Sequence, residues 1–522
     1  MNGVRPPLRE APAAAGAWWR PELGYLLAIF AVCYFFRFST FTLSIDDEFG
    51  ALRDSPDVWM IQGRWGIYLL ERFVVSQQVL PFFPLFVFGC CVCFSYPQLL
   101  AAFGVPRLRF VHYAAFPLYA AFPIWTFALS FLSNTLGFGL GLLAAACAVA
   151  RFASLAVGVS QTMRPGTKRS PARDFAAACG FGAMALGLYQ SFLFWIAALG
   201  LAVIVVHAIH EDAPWRRTLT RCIVLGAVVI GAIVVYEGVE IGMLHALGLG
   251  RERYVGNFLN LPALLHDPVH VLALAALNAA YVYGGGIHAF GAPAYAYGLV
   301  VLAGLAAVAT WPGVAASRRC LAALLCVAVL ALPFTLHVAA GGDLPGRTLL
   351  AAPAIMAVFA LLGMTSPRPR LAKFASAMAA VAVLQTLYVD NLLQTANEFA
   401  RKHDEALAAA LYARIVEVDR GVDAAHPPMI DVWGGEPFDS VYPRPLPGTA
   451  GYSFFEWDGG NIYRIVNYMH LLGYPLFRIP SLPERHRNDA AFAAMPVWPN
   501  PDSVRAANGM VLIKLGAAPG FR

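Results

Sequence analysis

Long runs of apolar residues, separated by short polar segments, fill the first three-quarters of this chain. Runs of about 17–25 such residues are long enough to cross a bilayer as helices. The run from 175 to 207 is too long for one crossing, and Tyr189, Gln190 and Ser191 divide it into two short helices. The pattern predicts eleven spans, at about 23–43, 81–103, 112–131, 135–150, two within 175–207, 222–245, 293–311, 320–338, 348–363 and 374–391.

One further apolar segment, Val269–Tyr283, is only about 15 residues long, which is below the length that a span needs. Three glycines, 284–286, end it. If this segment crossed the membrane, every later cluster of basic residues would change sides, against the tendency of Lys and Arg to lie on the cytoplasmic side. The segment is therefore predicted to form a re-entrant or interfacial helix.

The last part of the chain, 392–522, alternates short apolar stretches with polar residues and turns. Its spacing predicts a helix over 398–418, a strand and turn over 428–435, a helix over 461–472 and a strand over 509–515. The sequence therefore predicts a membrane domain over 1–391 and a small C-terminal α/β domain over 392–522. Because the number of spans is odd, this domain lies on the same side as the first loop.

The composition supports a polytopic membrane protein, because 59% of the residues are hydrophobic and 13% are charged, against about 25% charged in soluble proteins. The net charge is +6, but the basic residues form short clusters between apolar runs, as in cytoplasmic loops near anionic lipid, and no nucleic-acid partner is expected. One such loop, 151–174, carries Arg164, Lys168 and Arg169. The nine cysteines lie in or beside apolar runs, which excludes a disulfide framework and zinc-type pairs.

Three adjacent carboxylates, Asp46, Asp47 and Glu48, follow the first predicted span directly. Carboxylates at a membrane surface repel each other and are costly to desolvate, so a chain that places three of them there usually uses them in chemistry or to bind a cation. The alternative is a polar loop that keeps a helix end in water. The three acids leave room for a divalent cation, although no ligand spacing demands one.

Other polar residues fall on the same outer face in this topology: Arg64, Trp65, Tyr189, Gln190, Glu237, Glu240, Asp343 and Arg347. Each has a structural alternative, since Glu237 and Glu240 can meet an arginine or water, and Asp343 can pair with Arg347. Together they suit a reaction on a lipid phosphate. An arginine binds phosphate with two parallel bonds, and a carboxylate takes the proton of an attacking hydroxyl. Trp65 could cover a sugar ring.

Several stretches resemble the GtrII-type glucosyltransferases that modify bacterial O-antigen. The specific part is Ile45-Asp46-Asp47-Glu48 with Trp59 and Gly63-Arg64-Trp65-Gly66. Looser matches are Tyr189-Gln190-Ser191-Phe192, Gly346-Arg347, and Ser453-Phe454-Phe455-Glu456-Trp457 with Arg464 and Gly473.

This resemblance implies a GT-C type membrane glycosyltransferase of the bacterial inner membrane. Its donor would be a polyprenyl-phosphate sugar, usually glucose, used on the periplasmic face, and its acceptor a cell-envelope glycan such as O-antigen. Family enzymes carry an essential carboxylate in the first outer loop, which implies Asp46 or Asp47 as the base. The candidate residues are Asp46, Asp47 and Glu48 for catalysis, and Arg64, Trp65, Tyr189, Gln190, Glu237 and Arg347 for the substrate and its phosphate.

The alternative function is that of a transporter or flippase of lipid-linked sugars, in which Glu237 and Glu240 would couple to ions. The sequence shows no internal repeat and no paired broken helices, which such transporters often have. A third hypothesis is a non-catalytic subunit of a polysaccharide assembly. Placement of Asp46 or Asp47, Arg64 and Arg347 around one outward cavity would favour the enzyme, and Glu237 facing Glu240 across a sealed central pathway would favour transport.

Overall fold

Apolar helices form most of the protein, whose computed structural model describes residues 21–158, 170–211, 214–252, 256, 259–421, 427–445 and 448–521. Arg164, Lys168 and Arg169 of the predicted basic loop lie outside these residues. The helices of the first half are, in order, α1 Pro21–Cys33, α2 Phe35–Ser39, α3 Asp47–Leu52, α4 Asp57–Ile61, α5 Trp65–Phe73, α6 Phe83–Ala102, α7 Phe110–Ala121, α8 Ile124–Leu129, α9 Leu132–Val157, α10 Pro171–Leu188, α11 Phe192–His210 and α12 Trp215–Leu247.

The second half continues the bundle and ends in a small mixed domain. Its helices are α13 Leu261–His266, α14 Pro268–Gly284, α15 Ile287–Phe290, α16 Ala296–Ala309, α17 Ala316–Ala331, α18 Thr335–Ala340, α19 Ala352–Met364, α20 Pro369–Val418, α21 Ile462–Leu471, α22 Leu482–Arg487 and α23 Asp489–Ala493. Its strands are β1 Ile430–Trp433, β2 Val504–Ala507 and β3 Met510–Lys514.

Six helical segments in the described residues are long and apolar enough to cross a membrane: α6, α9, α11, α12, α20 and the continuous stretch from α17 to α18. Four shorter apolar helices, α1, α14, α16 and α19, accompany them. These lengths are compatible with a membrane protein, and the number of eleven spans stays a prediction.

The breaks between helices follow polar residues and prolines. The predicted division at 189–191 is confirmed, since α10 ends at Leu188 and α11 begins at Phe192. The prediction of one continuous helix over 112–131 is wrong, because Phe122 is extended in front of Pro123 and separates α7 from α8. A residue before proline is disfavoured in the helical conformation. This break turns the chain toward the start of α9.

An aromatic core holds that break in place. Trp125 and Tyr119 are fully buried, and the indole Nε1 of Trp125 donates to the carbonyl oxygen of Tyr119 at 2.9 Å. The hydroxyl groups of Tyr119 and Ser95 lie 2.7 Å apart, which ties α7 to α6. Since buried polar groups are costly without partners, these bonds fix the path of α8.

The segments on either side of α14 contact distant parts of the chain. Before it, the backbone N–H of Asn260 donates to the carbonyl of Ala339, in α18, at 3.0 Å. After it, Gly291 packs against Pro443 of the C-terminal domain. The re-entrant or interfacial position of α14 stays a prediction.

The C-terminal domain is joined to the bundle by one helix of 50 residues, α20. The predicted domain boundary at 391/392 lies inside this helix, and the division into two domains stays a prediction. The described strands form a sheet in the order β1-β3-β2, with β3 parallel to β1 and antiparallel to β2. The predicted strands correspond to β1 and β3, and the predicted helix over 461–472 corresponds to α21. Strand β2 was not predicted.

Candidate active site

The first turn of α9 joins the acidic loop to the Gly-Arg-Trp-Gly motif. The backbone N–H of Leu132 donates to Oδ1 of Asp47 at 2.9 Å. Two residues later, Oδ1 of Asn134 accepts a hydrogen bond from Nη1 of Arg64 at 3.4 Å. Leu132 and Asn134 fall between the predicted spans 112–131 and 135–150, and their role in bringing two of the predicted motifs together was not predicted.

The third predicted motif reaches the same turn from the loop before α19. The guanidinium carbon of Arg347 lies 4.4 Å from the ring centroid of Phe131, the residue that precedes α9. Asp343 does not pair with Arg347, since its carboxylate accepts a hydrogen bond from the side-chain amide of Asn278. Asp47, Arg64 and Arg347 thus contact one helix start. An outward cavity around them stays a prediction.

Asp47 is held on both sides by backbone amides. It is completely buried, and its Oδ2 accepts from the N–H of Ser44 at 2.9 Å while Oδ1 accepts from Leu132. Burial raises the pKa of the Asp47 carboxyl well above its usual range, although the two backbone hydrogen bonds oppose this shift. Because both of its oxygens accept backbone hydrogen bonds, Asp47 attaches the acidic loop to the first turn of α9.

Asp46 is the accessible carboxylate of the three, with 49% of its side chain exposed. It caps α3 in a left-handed conformation with φ of +83°, which is uncommon for any residue except glycine. Such backbone conformations persist only where the surroundings impose them, and they concentrate at functional sites. Nη2 of Arg464, on α21, donates to Oδ1 of Asp46 at 2.9 Å.

Glu48 is buried below Asp46 and shares the same arginine. Its Oε1 accepts from Nη1 of Arg464 at 2.5 Å, and its Oε2 has no hydrogen-bond partner within the described ranges. Burial raises the pKa of Glu48 to about 7, and the charge of Arg464 opposes that rise. Arg464 appeared in the sequence only as part of a loose resemblance, and its pairing with the acidic loop was not predicted.

Arg64 is a buried cation between two aromatic rings. Its guanidinium carbon lies 5.4 Å from the ring centroid of Trp59 and 4.9 Å from that of Tyr189. Trp59 in turn donates its indole N–H to Glu71 at 2.7 Å, and Glu71 also binds Arg53 through both carboxylate oxygens. Glu71 therefore supports the plane on which Arg64 lies, and sequence analysis missed it.

The backbone next to Arg64 is fixed by two polar side chains from the bundle. Nε2 of Gln190 donates to the carbonyl of Gln62 at 2.8 Å, and the hydroxyl of Tyr236 donates to the carbonyl of Gly63 at 2.9 Å. Gly63 has φ of +77°, and a Cβ atom there would lie 2.4 Å from the hydroxyl oxygen of Tyr236. Only glycine fits this turn without displacement.

Trp65 packs on α10. A Cβ atom on Gly187 would lie 2.2 Å from the indole of Trp65, so the ring covers the backbone at that position. The indole Nε1 is buried, with no hydrogen-bond partner among the residues that the structure describes. The contact of Trp65 with a sugar ring stays a prediction.

A family model described as glucosyl transferase GtrII matches residues 35–364. The chain belongs to this family. The match covers every predicted site residue and ends with α19, before α20 and the C-terminal domain. A search of curated proteins and a search of solved structures each gave no match. Membership in the GtrII family indicates a glucosyltransferase.

In this GtrII-family protein, Glu237 and Glu240 belong to one ion-pair cluster on α12. Arg251 binds Glu237 through two nitrogens at 3.0 and 3.1 Å, and its Nε lies 2.8 Å from Oε1 of Glu240. Both carboxylates lie on α12 and bind the same arginine, so they do not face each other across a pathway. The structural alternative for this pair fits these contacts, and a substrate contact of Glu237 stays a prediction.

The acidic loop of this GtrII-family protein directs its carboxylates to different partners. Asp47 binds backbone amides, whereas Asp46 and Glu48 bind Arg464. Over the described part of the chain, no group of three or more His, Cys, Asp or Glu side chains is arranged to hold a metal ion. A divalent cation at this loop stays a prediction.

Proposed function

We propose that this protein transfers glucose from a polyprenyl-phosphate donor to a hydroxyl group of a cell-envelope glycan such as O-antigen. The reaction takes place at the periplasmic face of the bacterial inner membrane. Family membership supports the glucosyl group, and the long apolar helices support a lipid-linked donor that lies within the membrane.

The observation that carries the proposal is the convergence at the start of α9. Asp47 and Arg64, from the segment between the first two predicted spans, and Arg347, from a segment far away in sequence, reach this one helix start. Asp46 adjoins them with an exposed carboxylate. A reaction that cleaves a sugar–phosphate bond needs a base for the acceptor and positive charge for the leaving group, and this set supplies both.

Asp46 is the proposed general base. The acceptor oxygen attacks the anomeric carbon of glucose, and its proton passes to the Asp46 carboxylate as the new bond forms. The bond between that carbon and the phosphate oxygen breaks at the same time, and polyprenyl phosphate leaves with the electron pair. Asp47 is less suited to this role, because both of its oxygens already accept backbone hydrogen bonds and its side chain is buried.

Arg64 and Arg347 are proposed to neutralise the leaving phosphate. A guanidinium group offers several donors in one plane, which suits phosphate oxygens. Tyr189 and Trp59 hold Arg64 in place from two sides, so the cation is oriented before the donor binds. Gln190 contributes indirectly by fixing the backbone at Gln62.

The test is a transfer assay in membranes with radiolabelled polyprenyl-phosphate glucose. Wild type is compared with Asp46→Asn and with Asp54→Asn, which changes an exposed acid in the same loop. Label is expected in the glycan for wild type and Asp54→Asn, and not for Asp46→Asn, because an amide does not accept the proton. Full activity of Asp46→Asn would contradict its role as the base. Failure of wild type with a panel of lipid-linked sugars, or movement of the donor without a covalent product, would contradict the proposed reaction.

A further inference from the structure

The C-terminal domain contacts the acidic loop at consecutive positions. The hydroxyl of Ser44 donates to the hydroxyl of Thr449 at 3.0 Å. The next residue, Ile45, is 1% exposed and belongs to the hydrophobic core of the C-terminal domain, together with Leu411, Phe454 and Ile465. The loop is thus one of the elements around which that domain is packed.

Arg464 makes the polar contacts between the C-terminal domain and the acidic loop. It binds three carboxylates with three different nitrogens. Nη2 reaches Asp46 at 2.9 Å, Nη1 reaches Glu48 at 2.5 Å, and Nε reaches Asp458 of its own domain at 2.9 Å. Its guanidinium carbon also lies 5.1 Å from the ring centroid of Phe49. Only 12% of the Arg464 side chain is exposed.

We infer that Arg464 is a positioning residue of the active site, which holds the Asp46 carboxylate in the orientation that proton transfer requires. The C-terminal domain is then part of the catalytic centre, although it lies outside the residues that match the family. This inference rests on the proposed function of Asp46 and adds to it a residue supplied by another domain.

The local geometry explains why Asp46 needs such a partner. Its left-handed backbone is unfavourable for a residue with a side chain, and its half-exposed side chain would rotate more freely without a partner. The buried Glu48 and the partly exposed Asp458 bind two nitrogens of the guanidinium group, which leaves the third at a set distance from Asp46. A lysine has one charged nitrogen and does not reproduce three bonds in a plane.

The test compares Arg464→Gln and Arg464→Lys with a matched control, Arg401→Gln. Arg401 also binds two carboxylates through three nitrogens, but both acids, Glu398 and Glu405, lie on its own helix. In the transfer assay, kcat of Arg464→Gln is expected to fall by about 100-fold with little change in KM, and Arg464→Lys to recover part of it. The control is expected to keep wild-type kcat.

Thermal unfolding separates positioning from general stability. If the Arg464 variants have the same thermal unfolding midpoint as wild type, their loss of kcat is due to positioning and not to lower stability. If Arg464→Gln fails to fold, Asp458→Asn replaces one of its ion pairs with a neutral hydrogen bond at a partly exposed site and should lower kcat by about tenfold.

A labelling measurement tests the contact between Arg464 and the acidic loop without using the transfer reaction. A cysteine at Phe49, which lies beside Arg464, is treated with an impermeant thiol reagent. Its labelling rate should rise about tenfold when Arg464→Gln is added, since the ordered contact no longer restrains the loop. An unchanged labelling rate, or unchanged kcat in an Arg464→Gln protein whose wild type is active, would overturn the inference. Loss of transfer in wild type itself would instead contradict the proposed function.

Discussion

Asp47 and Leu132 are joined by a hydrogen bond that connects the acidic loop to the bundle. The backbone N–H of Leu132 donates to Oδ1 of Asp47 at 2.9 Å, and Oδ2 of the same carboxylate accepts from Ser44. This buried side chain therefore attaches the loop that contains Asp46 to the first turn of α9.

Asp47→Asn is expected to destabilise the protein as well as reduce transfer. An asparagine has one acceptor oxygen, so its NH2 group would face one of the two backbone donors. A buried mismatch of this kind costs about 1–3 kcal/mol. Thermal unfolding in detergent should show a lower midpoint for Asp47→Asn and a wild-type midpoint for Asp46→Asn. A fully stable, inactive Asp47→Asn would instead indicate that Asp47 takes part in the chemistry.

Stability should fall with rising pH through ionisation of Glu48. Burial raises the pKa of Glu48 from 4.5 to about 7 in the folded protein. Between these values the folded state keeps a proton that the unfolded chain has released, so its stability decreases as pH rises through this window. Unfolding midpoints measured from pH 4.5 to 7 should fall less in Glu48→Gln than in wild type. Equal slopes in the two proteins would exclude this contribution.

Gly63→Ala should disrupt the site through its contact with Tyr236. The left-handed backbone disfavours a side chain, and the new Cβ would lie 2.4 Å from the hydroxyl oxygen of Tyr236. A loss of about 1–3 kcal/mol in stability is expected, with loss of transfer. Adding Tyr236→Phe removes the clashing atom and should restore part of the stability. Gly226→Ala, on the same helix as Tyr236 and with open space around it, is the control.

Arg64→Lys should weaken catalysis even though the charge is kept. A lysine loses the flat contact with Trp59 and Tyr189 and the fork that would bind phosphate. The expected fall in kcat/KM is about 10–100-fold. Kinetics at several donor concentrations check this, with Arg72→Lys, on the neighbouring helix, as the comparison. Unchanged donor KM and kcat would remove Arg64 from the phosphate site.

The topology predicts opposite accessibility for two cysteines. Val441 of the C-terminal domain is 97% exposed, so Val441→Cys should react with an impermeant thiol reagent from the periplasmic side. The native Cys320 is exposed and follows the basic pair Arg318 and Arg319, which predicts a cytoplasmic position. It should react only after the membrane is permeabilised. The reverse result would invert the orientation.

The sequence predicted those features that repeat along the chain. The spacing of apolar residues and the polar residues that interrupt it predicted the helices and the division at 189–191, because both signals depend on residues that are close together in sequence. The break before Pro123 was missed since it lies within an unbroken apolar run. Strand β2 was missed because its residues, Val504–Ala507, show little alternation.

The candidate site was predictable only in part, for a similar reason. The acidic loop, Arg64 and Arg347 were visible as unusual polar residues at the membrane surface. Arg464 pairs with Glu48 across 416 positions of sequence, and no local pattern records such a contact. Glu237 likewise resembled a functional acid, because nothing in its own helix shows that Arg251 is folded back onto it.

The unbroken helix α20 connects the helical bundle to the domain that binds the acidic loop. The helix has 50 residues and is therefore about 75 Å long, with one part among the apolar helices and the other in the core of the C-terminal domain. A rigid rod of that length turns a tilt of about 5° at one end into a shift of roughly 6 Å at the other. Helices tilt to match bilayer thickness. We therefore expect a change in the thickness of the surrounding membrane that tilts α20 to move Arg464, and with it the Asp46 carboxylate that Arg464 binds.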